Sequence, residues 1–209
     1  MQGQLMPGEV SDQRKICIVY GLGGIGKTQL TIEYARLHKA NYTSFFWLDG
    51  KTEESLIQSL LLIVSRLAKG QISVADTRDI KGLEESRNAA QEVLQWFSLE
   101  GNTQWLLIYD NIDKTSYEEE TSDKDTKSSS TYDITQYFPR GDTGSIIITT
   151  RLQRLVSLGS QVHLRKLDVL DSLLVLEKYS GRSMKRAGSH TTPNNFDIDA
   201  WPSGEFSIL

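Results

Sequence analysis

The stretch Lys15–Thr28, KICIVYGLGGIGKT, constrains this chain more than any other. Lys15–Tyr20 is short, apolar and partly β-branched, the pattern of a strand buried on both faces. It runs directly into a glycine-rich turn with the spacing G-x-x-x-x-G-K-[ST], in which Gly21, Gly26, Lys27 and Thr28 hold the fixed positions. A helical stretch follows over Gln29–Lys39, with Leu30, Tyr34 and Leu37 spaced by four and three. A strand, a glycine loop and a helix in this order form a phosphate-binding unit, and the spacing follows from the chemistry. Backbone N–H groups must turn inward around an anion, which calls for positive φ at several positions. Gly21, Gly23, Gly24 and Gly26 are expected to supply it. The helix N-terminus aims its dipole at the same point. Lys27 is expected on the β- and γ-phosphates, and the Thr28 hydroxyl on Mg2+, which prefers hard oxygen ligands. The expected phosphate-binding set is Gly21, Gly23, Gly24, Ile25, Gly26, Lys27, Thr28 and Gln29, joined by Arg151. A G-x-G-x-x-G dinucleotide loop is disfavoured, because Lys27-Thr28 directly follows the last glycine.

Four more apolar runs read as strands: Ser44–Leu48, Trp105–Tyr109, Ser145–Thr149 and the shorter Gln161–Leu164. Between them lie amphipathic segments. Thr52 is the expected N-cap of a helix whose face carries Leu56, Leu60, Ile63, Val64 and Leu67. A second runs from about Leu83 to Leu99 with Ala90, Val93, Leu94 and Phe97 on one side, and a third covers Asp171–Tyr179. Strands alternating with helices imply an α/β fold, a parallel sheet with helices on both faces and the first strand central.

The nucleotide core is expected over residues 15–182, after a polar N-terminal extension over 1–14. Lys114–Thr131 holds nine Ser or Thr, five acids and three lysines, and is read as a disordered loop. Residues 183–209 have no helical period and are read as an irregular tail.

Composition narrows the partners. A net charge of −4 argues against binding nucleic acid through bulk charge. One cysteine, Cys17, rules out an intramolecular disulfide, and with three scattered histidines a His/Cys metal cluster is not expected. No run reaches 18 apolar residues and no signal peptide is visible, so the expectation is a soluble cytoplasmic protein without membrane contact.

A phosphate loop of this kind needs a carboxylate at the end of a neighbouring strand to hold the metal's water shell. Asp110, after Leu106–Tyr109, fits that place. The next residue is Asn111, whose amide cannot accept a proton as a general base. Asp113, two residues further on, is the substitute candidate for that catalytic role, or else a loop cap. Arg151 closes the fourth strand, where an arginine reaches a γ-phosphate or else lies exposed along the sheet edge.

In combination, GLGGIGKTQL at Gly21–Leu30, FFWLDG at Phe45–Gly50, WLLIYDNID at Trp105–Asp113 and GSIIITTR at Gly144–Arg151 resemble the NB-ARC domain of the STAND class of signalling P-loop NTPases. HLRKL at His163–Leu167 resembles its fifth-strand segment, and the resemblance covers about Arg14 to Arg182. It implies a five-stranded sheet of order 2-3-4-1-5 and a switch that rests with ADP and activates with ATP. Exchange would drive self-association or engagement of other signalling domains. Carried over, Gly24, Gly26, Lys27 and Thr28 hold the phosphates, Asp110 the magnesium and Arg151 the γ-phosphate. The glycine-arginine-glutamate signature before the first strand and the downstream G-L-P-L motif are absent, so the chain reads as a core truncated at both ends. Slow or absent Mg-dependent hydrolysis is expected. The competing readings are a P-loop ATPase or small-molecule kinase, and a non-binding remnant.

Overall fold

The computed structural model describes residues 14–67, 72, 82–116 and 131–180. Residues 1–13 of the expected extension over 1–14, residues 117–130 of the expected loop and the expected tail over 183–209 lie outside the described residues. The chain forms two compact units, one ending at Lys166 and the other beginning at Leu167.

In the first unit five strands form one all-parallel sheet: β1 (Lys15–Gly21), β2 (Ser44–Asp49), β3 (Trp105–Asp110), β4 (Ser145–Thr150) and β5 (Ser160–Leu164). Their order is β2-β3-β4-β1-β5. With helices against it, this is an α/β fold consistent with a P-loop NTPase. β1 is an interior strand, paired with β4 on one side and β5 on the other. It is therefore away from the sheet edge, as expected, and the strand order is the expected 2-3-4-1-5. Every residue of β3 and β4 is buried, as expected for parallel strands covered on both faces.

The helices of this unit are α1 (Lys27–Leu37), α2 (Glu53–Val64) and α3 (Leu83–Trp96). Strand alternation sorts the core into two layers. Ile18, Leu107, Tyr109, Ile146 and Ile148 pack with Leu56, Ile57 and Leu60 of α2 and Ala90, Val93 and Leu94 of α3. Cys17, Val19, Leu106, Ile108 and Ile147 face the other way, with Tyr34 of α1 and Tyr42. α1 buries Tyr34 of the expected stripe but departs from it at two places: Thr31 is buried as well and Leu37 is 52% exposed. The Tyr34 and Tyr42 hydroxyls meet at 3.2 Å, so the apolar layer on this side is finished by a polar contact.

Thr52 caps α2 as expected. Its hydroxyl accepts the Ser55 N–H at 3.2 Å, and the Thr52 N–H donates back to the Ser55 hydroxyl at 3.1 Å. α3 ends at Trp96, before the expected Leu99. Phe97 instead turns its ring against Trp105, whose Nε1–H donates to the Phe97 carbonyl at 3.0 Å. α2 and α3 are tied together where Arg87 donates from Nε and Nη2 to both oxygens of Glu53, at 2.9 and 2.8 Å. The Tyr137 hydroxyl donates to the same carboxylate at 2.5 Å. Gly144 enters β4 at φ +78°, and any β-carbon there would lie 2.2 Å from the Trp105 ring, so glycine is required.

The first residues of the expected disordered loop are placed against the domain. Thr115 is fully buried and bridges Tyr132, and its hydroxyl accepts the Ile134 N–H at 3.2 Å. Polar composition concealed this because threonine buries its methyl while its hydroxyl serves the backbone.

In the second unit α4 (Val169–Ser180) starts after Asp168. The Asp168 carboxylate accepts the Asp171 N–H at 2.7 Å, an N-terminal cap. No helix among the described residues is long and apolar enough to cross a membrane.

Candidate functional site

The C-terminal ends of β1, β3 and β4 converge beneath the glycine loop, the position where open α/β sheets bind ligands. Gly21 ends β1 with φ +153°, and Gly24 (+72°) and Gly26 (+96°) carry the turn. Gly23 is not in the positive-φ region, which corrects the expectation for that residue. Gly26 is the left-handed N-cap of α1 and has no side chain to offer the helix. The N–H groups of the first turn therefore face the loop without a side-chain cap, the arrangement that suits an anion. Ile25 is half-buried beneath the turn, and Gln29 is exposed on the first turn of α1.

The Lys27 ammonium folds back over the loop, donating to the carbonyls of Gly21 at 3.0 Å and Leu22 at 2.9 Å. Burial pulls its pKa below the ordinary lysine value, and Arg151 pulls the same way; the Asp113 and Asp110 carboxylates oppose them. Two cations and two carboxylates therefore share one small region, although Asp110, Asp113 and Arg151 are far from Lys27 in sequence.

Asp110 is the buried anchor, only 6% exposed. It lies on the α1 side of the sheet, where the Thr28 hydroxyl donates to Oδ1 at 3.0 Å and reaches Oδ2 at 3.3 Å. Thr149, fully buried on the adjacent strand, also donates its hydroxyl to Oδ1. Sequence reasoning missed Thr149 as a site residue. The available signal was the polar pair Thr149-Thr150 closing an otherwise apolar strand.

Asn111 follows at φ +63°, the left-handed region that asparagine tolerates better than most residues. This reversal lets its N–H donate to the Thr149 hydroxyl at 3.0 Å and sends Ile112 back to β4, where its N–H meets the Thr149 carbonyl at 3.0 Å. The Asn111 amide sits 3.4 Å from Asp110 Oδ2. Thr150 completes the lacing by donating to the Ile112 carbonyl at 2.5 Å.

Asp113 and Arg151 are brought together. The Arg151 N–H donates to Asp113 Oδ1 at 2.7 Å and its Nε to Oδ2 at 2.6 Å. The Arg151 side chain is 59% exposed and that of Asp113 20%.

The residues present fit a magnesium–nucleotide pair. A hydroxyl and a buried carboxylate meet at the mouth of a loop whose glycines hold positive φ. No cluster of three His, Cys, Asp or Glu ligands exists among the described residues.

The fold is α/β and consistent with a P-loop NTPase-like domain. No family model matches the chain. It is similar to a nucleotide-binding leucine-rich repeat (NLR)-like protein of Hyaloscypha variabilis (strain UAMH 11265 / GT02V1 / F), with 27% identity over 178 residues. The match covers 83% of this chain and 17% of that protein.

Proposed function

We propose that this chain binds an adenine nucleotide with Mg2+ and acts as the nucleotide-binding core of an NB-ARC-type signalling switch. The observation that carries this is the convergence of Lys27, Thr28 and Asp110 at the glycine loop, from two segments more than eighty residues apart, with Thr28 and Asp110 in direct contact. The similarity to an NLR-like protein supports the signalling context. Adenine, ADP in the resting state and ATP in the active state are what the NB-ARC resemblance implies.

Lys27 and the N–H groups of the loop would hold the phosphates. Thr28 and Asp110 would hold Mg2+, which when bound supplies charge neutralisation between the phosphates. Releasing Lys27 from the Gly21 and Leu22 carbonyls frees three N–H donors for the anion.

Exchange rather than rapid hydrolysis is the proposed mode. Asn111 offers an amide where a proton acceptor would stand, and both Asp113 oxygens already accept hydrogen bonds from Arg151. A solvent-exposed mouth also weakens electrostatic stabilisation of developing charge.

The test is nucleotide content and affinity. Freshly purified chain is denatured and its released nucleotide identified, and then ADP, ATP, GDP and GTP are titrated with Mg2+. Adenine nucleotide in the released fraction is expected. Lys27→Ala should weaken ADP binding about hundredfold, the loss of charge-assisted hydrogen bonds, with the unfolding temperature unchanged. Equal ADP affinity in Lys27→Ala and the parent would refute the proposal.

A further inference from the structure

We propose that Asp113 is a positioning residue that aims Arg151 at the phosphate loop and so sets the preference for a nucleoside triphosphate over a diphosphate. This rests on the nucleotide site proposed above. It departs from the expectation that Asp113 takes a proton from water.

The first support is how the carboxylate is used. Asp113 accepts the main-chain N–H of Arg151 on one oxygen and the Nε–H of the same residue on the other. Main chain and side chain of one arginine are gripped together, which fixes the start of the side chain as well as its middle. A carboxylate bonded at Nε leaves the four N–H donors on Nη1 and Nη2 for another acceptor.

The second support is where those donors lie. At Gly23 a β-carbon would sit 3.8 Å from Arg151 Cδ and 3.9 Å from Nη1. The guanidinium therefore lies against the glycine loop at Gly23, near enough to the Lys27 ammonium to help lower its pKa. Arg151 arrives from the end of β4, a different strand from the one that carries the loop. An anionic group extending beyond the phosphates cradled by Lys27 is the chemistry this fork suits, since guanidinium binds phosphate in a planar, two-pronged fashion.

The third support is the contrast in exposure. Arg151 is 59% exposed, so a long side chain with four rotatable bonds has solvent on most of its surface. Asp113 is less exposed and is itself held, its N–H donating to the Asn111 carbonyl at 2.8 Å. The chain reversal at Asn111 places that carboxylate opposite Arg151. An ion pair this exposed adds little to fold stability, so its effect falls on where the guanidinium points.

The test uses the full chain and four proteins: parent, Asp113→Asn, Arg151→Ala and the double variant. Asparagine keeps an oxygen for the Arg151 main-chain N–H and removes the charge that holds Nε. Affinities for ADP and for a non-hydrolysable ATP analogue are measured with Mg2+, alongside the unfolding temperature and the Arg151 Nε–H signal in a 15N spectrum. In Asp113→Asn the triphosphate affinity should fall about tenfold, with ADP within twofold of the parent. The unfolding temperature should hold, and the Nε–H signal should broaden or vanish. The double variant should match Arg151→Ala alone, because Asp113 acts through Arg151. Equal loss of both nucleotides, additive effects in the double variant, or an unchanged affinity ratio with turnover lost would each overturn the assignment. The last of these would make Asp113 the proton acceptor. A parent chain that binds neither nucleotide would overturn the site itself, and an unchanged Nε–H signal in Asp113→Asn would overturn the pairing independently of any nucleotide.

Discussion

Replacing Thr149 with valine isolates one buried hydroxyl. Valine has nearly the same shape as threonine, so packing between β3 and β1 is preserved while two hydrogen bonds are lost. The hydroxyl donates to the Asp110 carboxylate and accepts the Asn111 N–H at 3.0 Å. A hydrogen bond to a charged group contributes about 1.5–3 kcal/mol, and a buried N–H left without an acceptor costs about 1–3 kcal/mol. Asn111 is exposed, so water can reach its main chain and the second cost sits at the low end of that range. Asp110 keeps Thr28 as a donor at 3.0 Å, which limits the first. The net expectation is a loss of about 2–4 kcal/mol. For a unit of this size that lowers the unfolding temperature by about 4–16 °C. Thr149→Ser is the control, because it keeps the hydroxyl and removes one methyl, costing about 0.5–1.5 kcal/mol. Urea unfolding followed by tryptophan fluorescence gives both values, with Trp105 fully buried beside the site strands. If the valine variant is as stable as the serine variant or more so, the hydroxyl does not anchor Asp110 and the account of the site's core fails.

Asn111→Asp places a second carboxylate next to Asp110 and supplies a proton acceptor; ATP hydrolysis should rise at least several-fold over the parent in a phosphate-release assay, and no rise would remove Asn111 as the reason for slow turnover. Replacing residues 117–130 with a four-residue Gly/Ser linker should shift the unfolding temperature by less than about 2 °C, because closure entropy changes slowly with length. Ser116 and Tyr132 already meet at the segment's ends, with the Ser116 N–H donating to the Tyr132 carbonyl at 2.9 Å. A shift well beyond that would mean the replaced segment packs on the domain. Glu53 supplies a pH signature. Its hydrogen bonds from Arg87 hold its carboxyl below the ordinary value of 4.5, against an opposing effect of burial. A depressed folded-state pKa stabilises above the unfolded value and is lost as pH falls through the folded one. The parent should therefore lose stability below about pH 4.5 more steeply than Glu53→Gln, and parallel pH profiles would refute the role of the pair.

Much of the fold was legible because parallel strands and amphipathic helices leave local marks. Five apolar runs gave five strands, each within a residue or two of its observed ends. Thr52 announced α2, because a cap and its helix are neighbours in sequence. The glycine loop was legible for the same reason: Gly24 and Gly26 need their φ values whatever surrounds them. Tyr34 was read correctly, but Leu37 was misread because spacing cannot tell how far along an 11-residue helix a face keeps its neighbour; Thr31 is buried and Leu37 is not. Strand order came from resemblance to other proteins, since nothing local in β1 states that β4 and β5 are its partners.

The sequence by itself determined the loop, the strand that feeds it, and the candidacy of Lys27 and Thr28, marked by the loop spacing, and of Asp110 and Arg151, marked by residue type at or just past a strand end. Only the tertiary structure decided what those residues do to one another. Thr149 joins the site because β4 lies beside β3, so a buried hydroxyl on one strand meets a buried carboxylate on the next. Asp113 meets Arg151 because the chain, turning through the left-handed region at Asn111, brings its carboxylate to the end of β4. Local conformational preference is written in a few consecutive residues. Pairing between charged groups 38 positions apart is settled by where the sheet sets its strand ends.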